Sequence, residues 1–357
     1  MPPVLTANDT PLAALAFEQW HPNGATMAVV VARARVRVDR DGTQYLEEGD
    51  LALADRYDGD PHAAPMIAAG DLVPYRPFAD VTVRGALHAP EPRARVEGGI
   101  AVGGRTVRLR GCGPRTWHHD RIWRLSEPEP VAEVPLDWRL AAGGRIVGDP
   151  DGGVDPRNPI GPGIIHPDYT SERIELPAPR IDNAAYPVTD DPYARPEPQG
   201  LGPVPPWWLP RQRLAGTYDK AWEDEVHPRL PRDFDYRHYQ VAPPNLILDG
   251  YLRPGVEVRT KGLRPGGEAL SLHLPDLALW ATFTFRDGRS VPVRLHCDGL
   301  HLDLTGEVPT FDLTWRTWIE TCPSFEGVSL APGRWEDLIE RRLAIAGPEG
   351  LVEDQAD

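Results

Sequence analysis

Residues 25–38 read ATMAVVVARARVRV, an apolar run that passes into strict Val/Arg alternation. Successive side chains of a strand point to opposite faces, so a period of two marks a strand with one apolar and one wet face. Asp39-Arg40-Asp41-Gly42 follows, and its glycine accepts the positive φ that a tight hairpin demands. The alternation recurs at 81–87 (VTVRGAL) and 105–110 (RTVRLR), which predicts an antiparallel β domain over residues 1–126.

From 127 to 210 the pattern dissolves into Pro, Gly and Asp, as in Asp149-Pro150-Asp151-Gly152-Gly153. So long a stretch without regular structure is uncommon in a compact domain unless it wraps over a scaffold, so an ordered connector is expected, with a flexible linker as the rival. Trp207-Trp208 near its end favours docking, because two indoles left in water would forgo on the order of 2 kcal/mol each. Strand signals return at 256–259, 269–274, 279–285, 291–295, 300–304 and 311–319, with Asp287-Gly288 and Asp298-Gly299 at hairpin positions. Trp335, Leu338, Ile339 and Leu343 fall at helical spacing. The expected fold is mainly β: antiparallel sheets in two sandwich- or barrel-like lobes, a long Pro/Gly-rich connector and a short C-terminal helix. Residues 211–357 form its third part.

Composition narrows the function. The 41 prolines and 34 glycines among 357 residues favour short strands joined by turns. A net charge of −15 argues against nucleic acid and anionic membrane, since both need clustered Lys and Arg, but suits a basic protein partner. Cys112, Cys297 and Cys322 are scattered and odd in number, which is no disulfide framework. Residues 1–10 carry no basic stretch followed by an apolar run, and no segment has the length of a membrane span, so a cytoplasmic protein is expected.

Several clusters invite chemical readings. His118-His119-Asp120 suggests a metal or acid–base set, yet neighbouring strand residues face opposite ways and cannot share one ion. His296-Cys297-Asp298 with His301 suggests a Cys–His nucleophile, against which stands a small buried thiol at a strand end. No G-x-S-x-G, H-E-x-x-H, P-loop or G-x-G-x-x-G pattern occurs, and neither metal nor cofactor is expected.

The densest pattern is residues 212–239, QRLAGTYDKAWEDEVHPRLPRDFDYRHY. Asp219, Asp233 and Asp235 could be paired carboxylates for hydrolysis. Their companions Arg211, Arg232 and Arg237, with Tyr218, Trp222 and Phe234, suit a buried ion-pair and aromatic network better. A two-turn helix at 219–226 is expected with Thr217 as its N-cap, stopped by Pro228.

Arg211, Ala215-Gly216-Thr217-Tyr218-Asp219, Trp222, Leu230-Pro231, Asp233-Phe234-Asp235 and Ala242-Pro243-Pro244 together resemble the central block of the DUF2169 family. That family is encoded with bacterial type VI secretion systems. Gly70-Asp71-Leu72-Val73-Pro74, Pro77, Asp80, Asn158-Pro159 and Asp312-Leu313-Thr314-Trp315-Arg316 also fit. Gly113-Pro114-Arg115-Thr116-Trp117 keeps the family's Arg115 and Trp117 but carries proline where the family has an acid. The resemblance implies a non-enzymatic adaptor or chaperone that binds a type VI secretion effector (toxin) and helps load it onto the VgrG-type spike. The signature residues Arg211, Gly216, Thr217, Tyr218, Asp219, Trp222, Pro231, Asp233, Phe234 and Asp235 would be structural or partner-binding, with Trp207 and Trp208 as aromatic anchors. The competing readings are a hydrolase or metal-dependent enzyme, and a toxin-neutralising binder.

Overall fold

A computed structural model describes residues 4–169, 174–185, 191–322 and 324–333. The expected helix around Trp335 to Leu343 lies outside them. The described chain is mainly β, with antiparallel sheets and only two short α-helices, Leu209–Gln212 and Lys220–Glu225.

The strand Thr26–Val38 organises the largest sheet, but it is not wet on one face. Residues 27–34 are buried on both sides, and only Arg35 and Arg37 of the alternating arginines are partly open to water. The reason is its central place: Ala13–Trp20 and Gln44–Glu48 share one edge of it, and Thr310–Glu320 pairs along the whole of the other. His296–Asp303 and then Asp80–Arg84, in parallel, complete six strands. The turn at Asp39–Gly42 forms as the sequence predicts, with Gly42 at φ 85°.

A four-stranded sheet runs in the order Leu5–Asn8, Phe325–Gly333, Ala278–Phe285, Ser290–Arg294. A five-stranded sheet runs Ile181–Asn183, Arg105–Cys112, Arg95–Val102, Glu257–Lys261, Leu270–His273. All three contain strands from both halves of the sequence and none of them closes into a barrel. One apolar core joins them, with Val30, Ile100, Leu109, Phe283, Phe311 and Leu330 among its fully buried members. Asp287-Gly288 makes its hairpin, whereas Asp298-Gly299 is no turn: it lies inside the strand His296–Asp303 at a bulge opposite Trp315 and Thr314. Asp298 is held there by its buried ion pair with Arg316.

The described part of the Pro/Gly-rich connector is fastened to the rest of the fold at several points. Asn158, fully buried, donates its amide to the carbonyls of Trp138 (2.8 Å) and Ala142 (2.9 Å), and so fastens the 158 loop over the 3-10 turn Trp138–Leu140. Leu201 is fully buried in the main core, and its carbonyl accepts from Val83 N.

Candidate functional site

The signature block begins with a cation taken out of water. Arg211, 7% exposed, closes the helix Leu209–Gln212 and donates Nε to the His238 carbonyl (2.8 Å) and Nη1 to the Val204 carbonyl (2.7 Å). No ion pair with a carboxylate is made by it among the described residues, and burial lowers its pKa to about 10, which leaves it charged at neutral pH. Phe234, buried beside the rings of His238 and Tyr239, and buried Pro231 complete the inner side of the block.

The block's carboxylates face solvent instead of forming a buried network, because each is used to close a turn. Asp233 accepts from Thr217 N (3.0 Å) and Thr217 Oγ1 (2.8 Å), bonds that hold its pKa below the usual carboxylate range. Thr217 is therefore not the helix cap. Asp219 takes that place, accepting from Trp222 N at 2.9 Å at the start of Lys220–Glu225. Asp235 caps the 3-10 turn Tyr236–Tyr239 and pairs with Arg237 Nε at 2.9 Å, which lowers its pKa in turn. Gly216 sits at φ 81°, and a Cβ there would stand 2.8 Å from Pro231 Cβ and 2.9 Å from Asp233 Oδ1, so glycine is required.

The outward face of this scaffold carries Tyr218. The residue is 53% exposed and its ring meets Trp222 edge-on at 4.7 Å, while Trp222 Nε1 is anchored on the Arg229 carbonyl (2.9 Å).

The two indoles expected as surface anchors are placed differently. Trp208 has no exposed surface; it packs edge-to-face on Trp138 at 5.5 Å with Ala141 and Val204. It cannot touch a partner, since burying its own indole is what seats the connector. Trp207 is half-buried, 5.4 Å from the ring of His62. Arg115 and Trp117 are likewise internal. Arg115 donates to the Pro179 carbonyl (2.7 Å) and lies 3.9 Å from Asp182, whose carboxylate also takes Arg110. Asp182 thus supplies, from elsewhere in the chain, an acid that Pro114 cannot. Trp117 packs with Ile165 and Ala178.

Two features had no local signal in the sequence. The first is a buried ion-pair web on the largest sheet. Arg33 bridges Asp71 (2.9 Å) and Asp312 (2.8 Å), and Arg316 pairs with Asp298 and donates to the Asp71 carbonyl (3.0 Å). Asp80 takes Gln240 Nε2 (2.7 Å) and Val241 N (2.8 Å), tying that sheet to the end of the signature block.

The second is a cleft of about 450 Å³ between residues 77–78, 249–254, 274–278 and 294–297. Tyr251 stacks on His296 at 4.2 Å along it, and the Tyr251 hydroxyl donates to the Arg76 carbonyl (2.9 Å). Burial pushes both the Tyr251 phenol and the Cys297 thiol up, so both are neutral. Cys297 is a buried strand thiol without the thiolate character a nucleophile needs. His301 lies away from it, with Nδ1 2.9 Å from Thr82 Oγ1. His118 lies 3.1 Å from Glu175, and His119 packs on Trp123. Among the described residues no group of three or more His, Cys, Asp or Glu side chains could hold a metal ion, and no helix is long and apolar enough to cross a membrane.

A family model described as an uncharacterized protein conserved in bacteria (DUF2169) matches residues 23–316. No curated protein and no solved structure matches the chain.

Proposed function

We propose, from the premise that this chain belongs to the DUF2169 family, that it is a cytoplasmic, non-enzymatic adaptor that binds a type VI secretion effector and helps load it onto the VgrG-type spike. The observation that carries the reading is the setting of Tyr218. An exposed aromatic ring is fixed by Trp222, and the block behind it is pinned by Arg211 and turn-closing carboxylates. Rigid aromatic groups of this kind contribute most at protein interfaces, because little side-chain freedom is lost when they dock. Asp219 and Asp233, both exposed, add negative charge beside it suited to a basic face of the client. Leu209, 39% exposed at the end of the connector, adds apolar surface.

The test is co-purification of the tagged full chain from cells expressing the neighbouring spike and effector genes, with metal assayed on the same sample. A stoichiometric, metal-free effector complex that Tyr218→Ala weakens supports the adaptor. Absence of any partner together with bound metal would overturn it in favour of a hydrolase or metal-dependent enzyme. Suppression of toxicity by this protein alone would mark a neutraliser instead.

A further inference from the structure

The cleft beside Tyr251 and His296 lies where the last described strand leaves the fold. Phe78, Leu274, Leu277, Leu295 and Trp315 give it apolar walls around about 450 Å³, a size that encloses a ligand group. Its Tyr251 phenol and Cys297 thiol are both pushed up by burial and stay neutral. Arg253 and Arg294 line it too, but both already have partners, so apolar contact and not charge decides what enters. The strand Phe325–Gly333 runs antiparallel to Ala278–Phe285 and ends with Gly333 opposite Ala278, itself a residue of the cleft wall. Its direction there points past Ala278 toward Leu277 and Pro275, which also line the cleft. On the other side of Ala278–Phe285, the strand Ser290–Arg294 ends with Arg294 opposite Trp280 and passes directly into Leu295 and His296. Three neighbouring strands thus meet the cleft at their ends.

Residues 334–343, next in the chain, read RWEDLIERRL. Trp335, Leu338, Ile339 and Leu343 fall at helical spacing, which gathers them on one side, while Asp337 and Arg341 fall on the other. Trp335 is two residues beyond Gly333, a reach of at most about 7 Å. We propose that the cleft is the seat of this segment of the same chain, with Trp335, Leu338 and Ile339 as the groups that enter it. An amphipathic stretch laid in a groove uses anchors three and four positions apart, the spacing these residues have. Their entry takes both their own apolar surface and that of the cleft out of water. Tethering selects the occupant. A group joined to the edge of its site acts at an effective concentration on the order of millimolar, which a free partner segment or a second copy has to overcome. The wall is also rigid: Tyr251 is fixed to Arg76, whose Nε donates to the Tyr239 carbonyl (3.0 Å) and lies 3.7 Å from Asp80. Little ordering is therefore left to be done when the seat is filled. Neither effector nor spike enters into this assignment, which stands apart from the adaptor reading.

Photo-crosslinking tests this in the full chain. p-Benzoylphenylalanine, itself a bulky aromatic residue, is introduced in place of Trp335, and the purified protein is irradiated in dilute solution. The expected product has the mass of one chain, with the crosslink on residues 249–254, 274–278 or 294–297. The same residue introduced in place of Asp337, on the polar side, should give that product in at least about ten-fold lower yield. A crosslink elsewhere in the chain, a crosslink to a second copy, no crosslink, or equal yields from the two positions overturns the assignment. The reciprocal experiment introduces p-benzoylphenylalanine in place of Pro254, at the cleft, and co-expresses the protein with the spike and effector candidates. A crosslink to residues 335–343 of the same chain is expected. A crosslink to a client or to a second copy gives the cleft to that partner and overturns the seat, and so does the absence of any crosslink.

Discussion

Arg211 and His238 hold each other by reciprocal bonds: Arg211 Nε donates to the His238 carbonyl at 2.8 Å, and His238 Nδ1 lies 2.9 Å from the Arg211 carbonyl. A carbonyl can only accept, so Nδ1 carries the proton. The pair joins the end of the connector to the end of the signature block. Replacing Arg211 with Met keeps the volume but leaves the His238 and Val204 carbonyls unbonded. Arg211→Met is expected to cost about 2–6 kcal/mol, allowing 1–3 kcal/mol for each of the two buried carbonyls left unsatisfied, read as a lower urea midpoint at unchanged slope. A midpoint equal to wild type would show that the pair is not a fastening.

Trp208 and Tyr218 make opposite predictions although both are aromatic residues near the same loop. Trp208→Ala removes a fully buried indole from its place against Trp138 and should destabilise the fold by about 3–5 kcal/mol. Tyr218→Ala removes an exposed ring and should leave stability within about 0.5 kcal/mol. Thermal unfolding of the two variants distinguishes these roles. A large loss at Tyr218 would make the ring structural and remove it as an anchor.

Stability should fall with acid before the carboxylates titrate. Burial lowers His301 from 6.5 to about 4 and lowers His238 as well, so both are neutral in the folded chain. Once pH drops below the unfolded value near 6.5, the unfolded chain binds protons that the folded chain refuses. The stability these histidines contribute is thus complete above pH 6.5 and is lost as pH falls toward 4. Denaturation midpoints measured from pH 7 to 4.5 should decline, and His301→Gln should flatten the decline. A wild-type curve that is level over this window contradicts the assignment.

Gly216→Ala should destabilise even though only a methyl group is added. The residue sits at φ 81°, which disfavours a side chain, and the new Cβ would press on Pro231 and Asp233. A loss of about 1–3 kcal/mol is expected, measurable as a lower melting temperature. An unchanged melting temperature would show that the turn relaxes without strain.

The β class was legible because it depends on local alternation: 26–38 and 105–112 are strands where the pattern says so. The helix at 220–225 was legible too, but its cap was not, since Thr217 and Asp219 are both competent caps and only the position of Asp233 decides between them. The burial of Trp208 and the placing of Arg115 beside Asp182 depend on residues about 70 positions away, which no spacing rule reaches. The cleft is the extreme case. It is made from four separate loops and strand ends together with Leu313 and Trp315 of the strand Thr310–Glu320, each of unremarkable composition.

A long-range relationship supports the last prediction. Arg33 and Arg35 of one strand both bond Asp312 of its neighbour, 279 and 277 residues later, and that strand pairs along eleven consecutive positions. A fragment of residues 1–210 would keep Thr26–Val38 but lose the Thr310–Glu320 edge, exposing backbone groups and leaving Arg33 and Arg35 without the Asp312 carboxylate. It should therefore remain without a cooperative unfolding transition by circular dichroism. In the full chain Asp312→Ala should cost about 3–5 kcal/mol, because Arg33 stays buried beside the vacated position. A cooperatively folding 1–210 fragment would show that the N-terminal strands need no partner from the C-terminal half, and would make the Arg33–Asp312 contact a late addition to an already stable sheet.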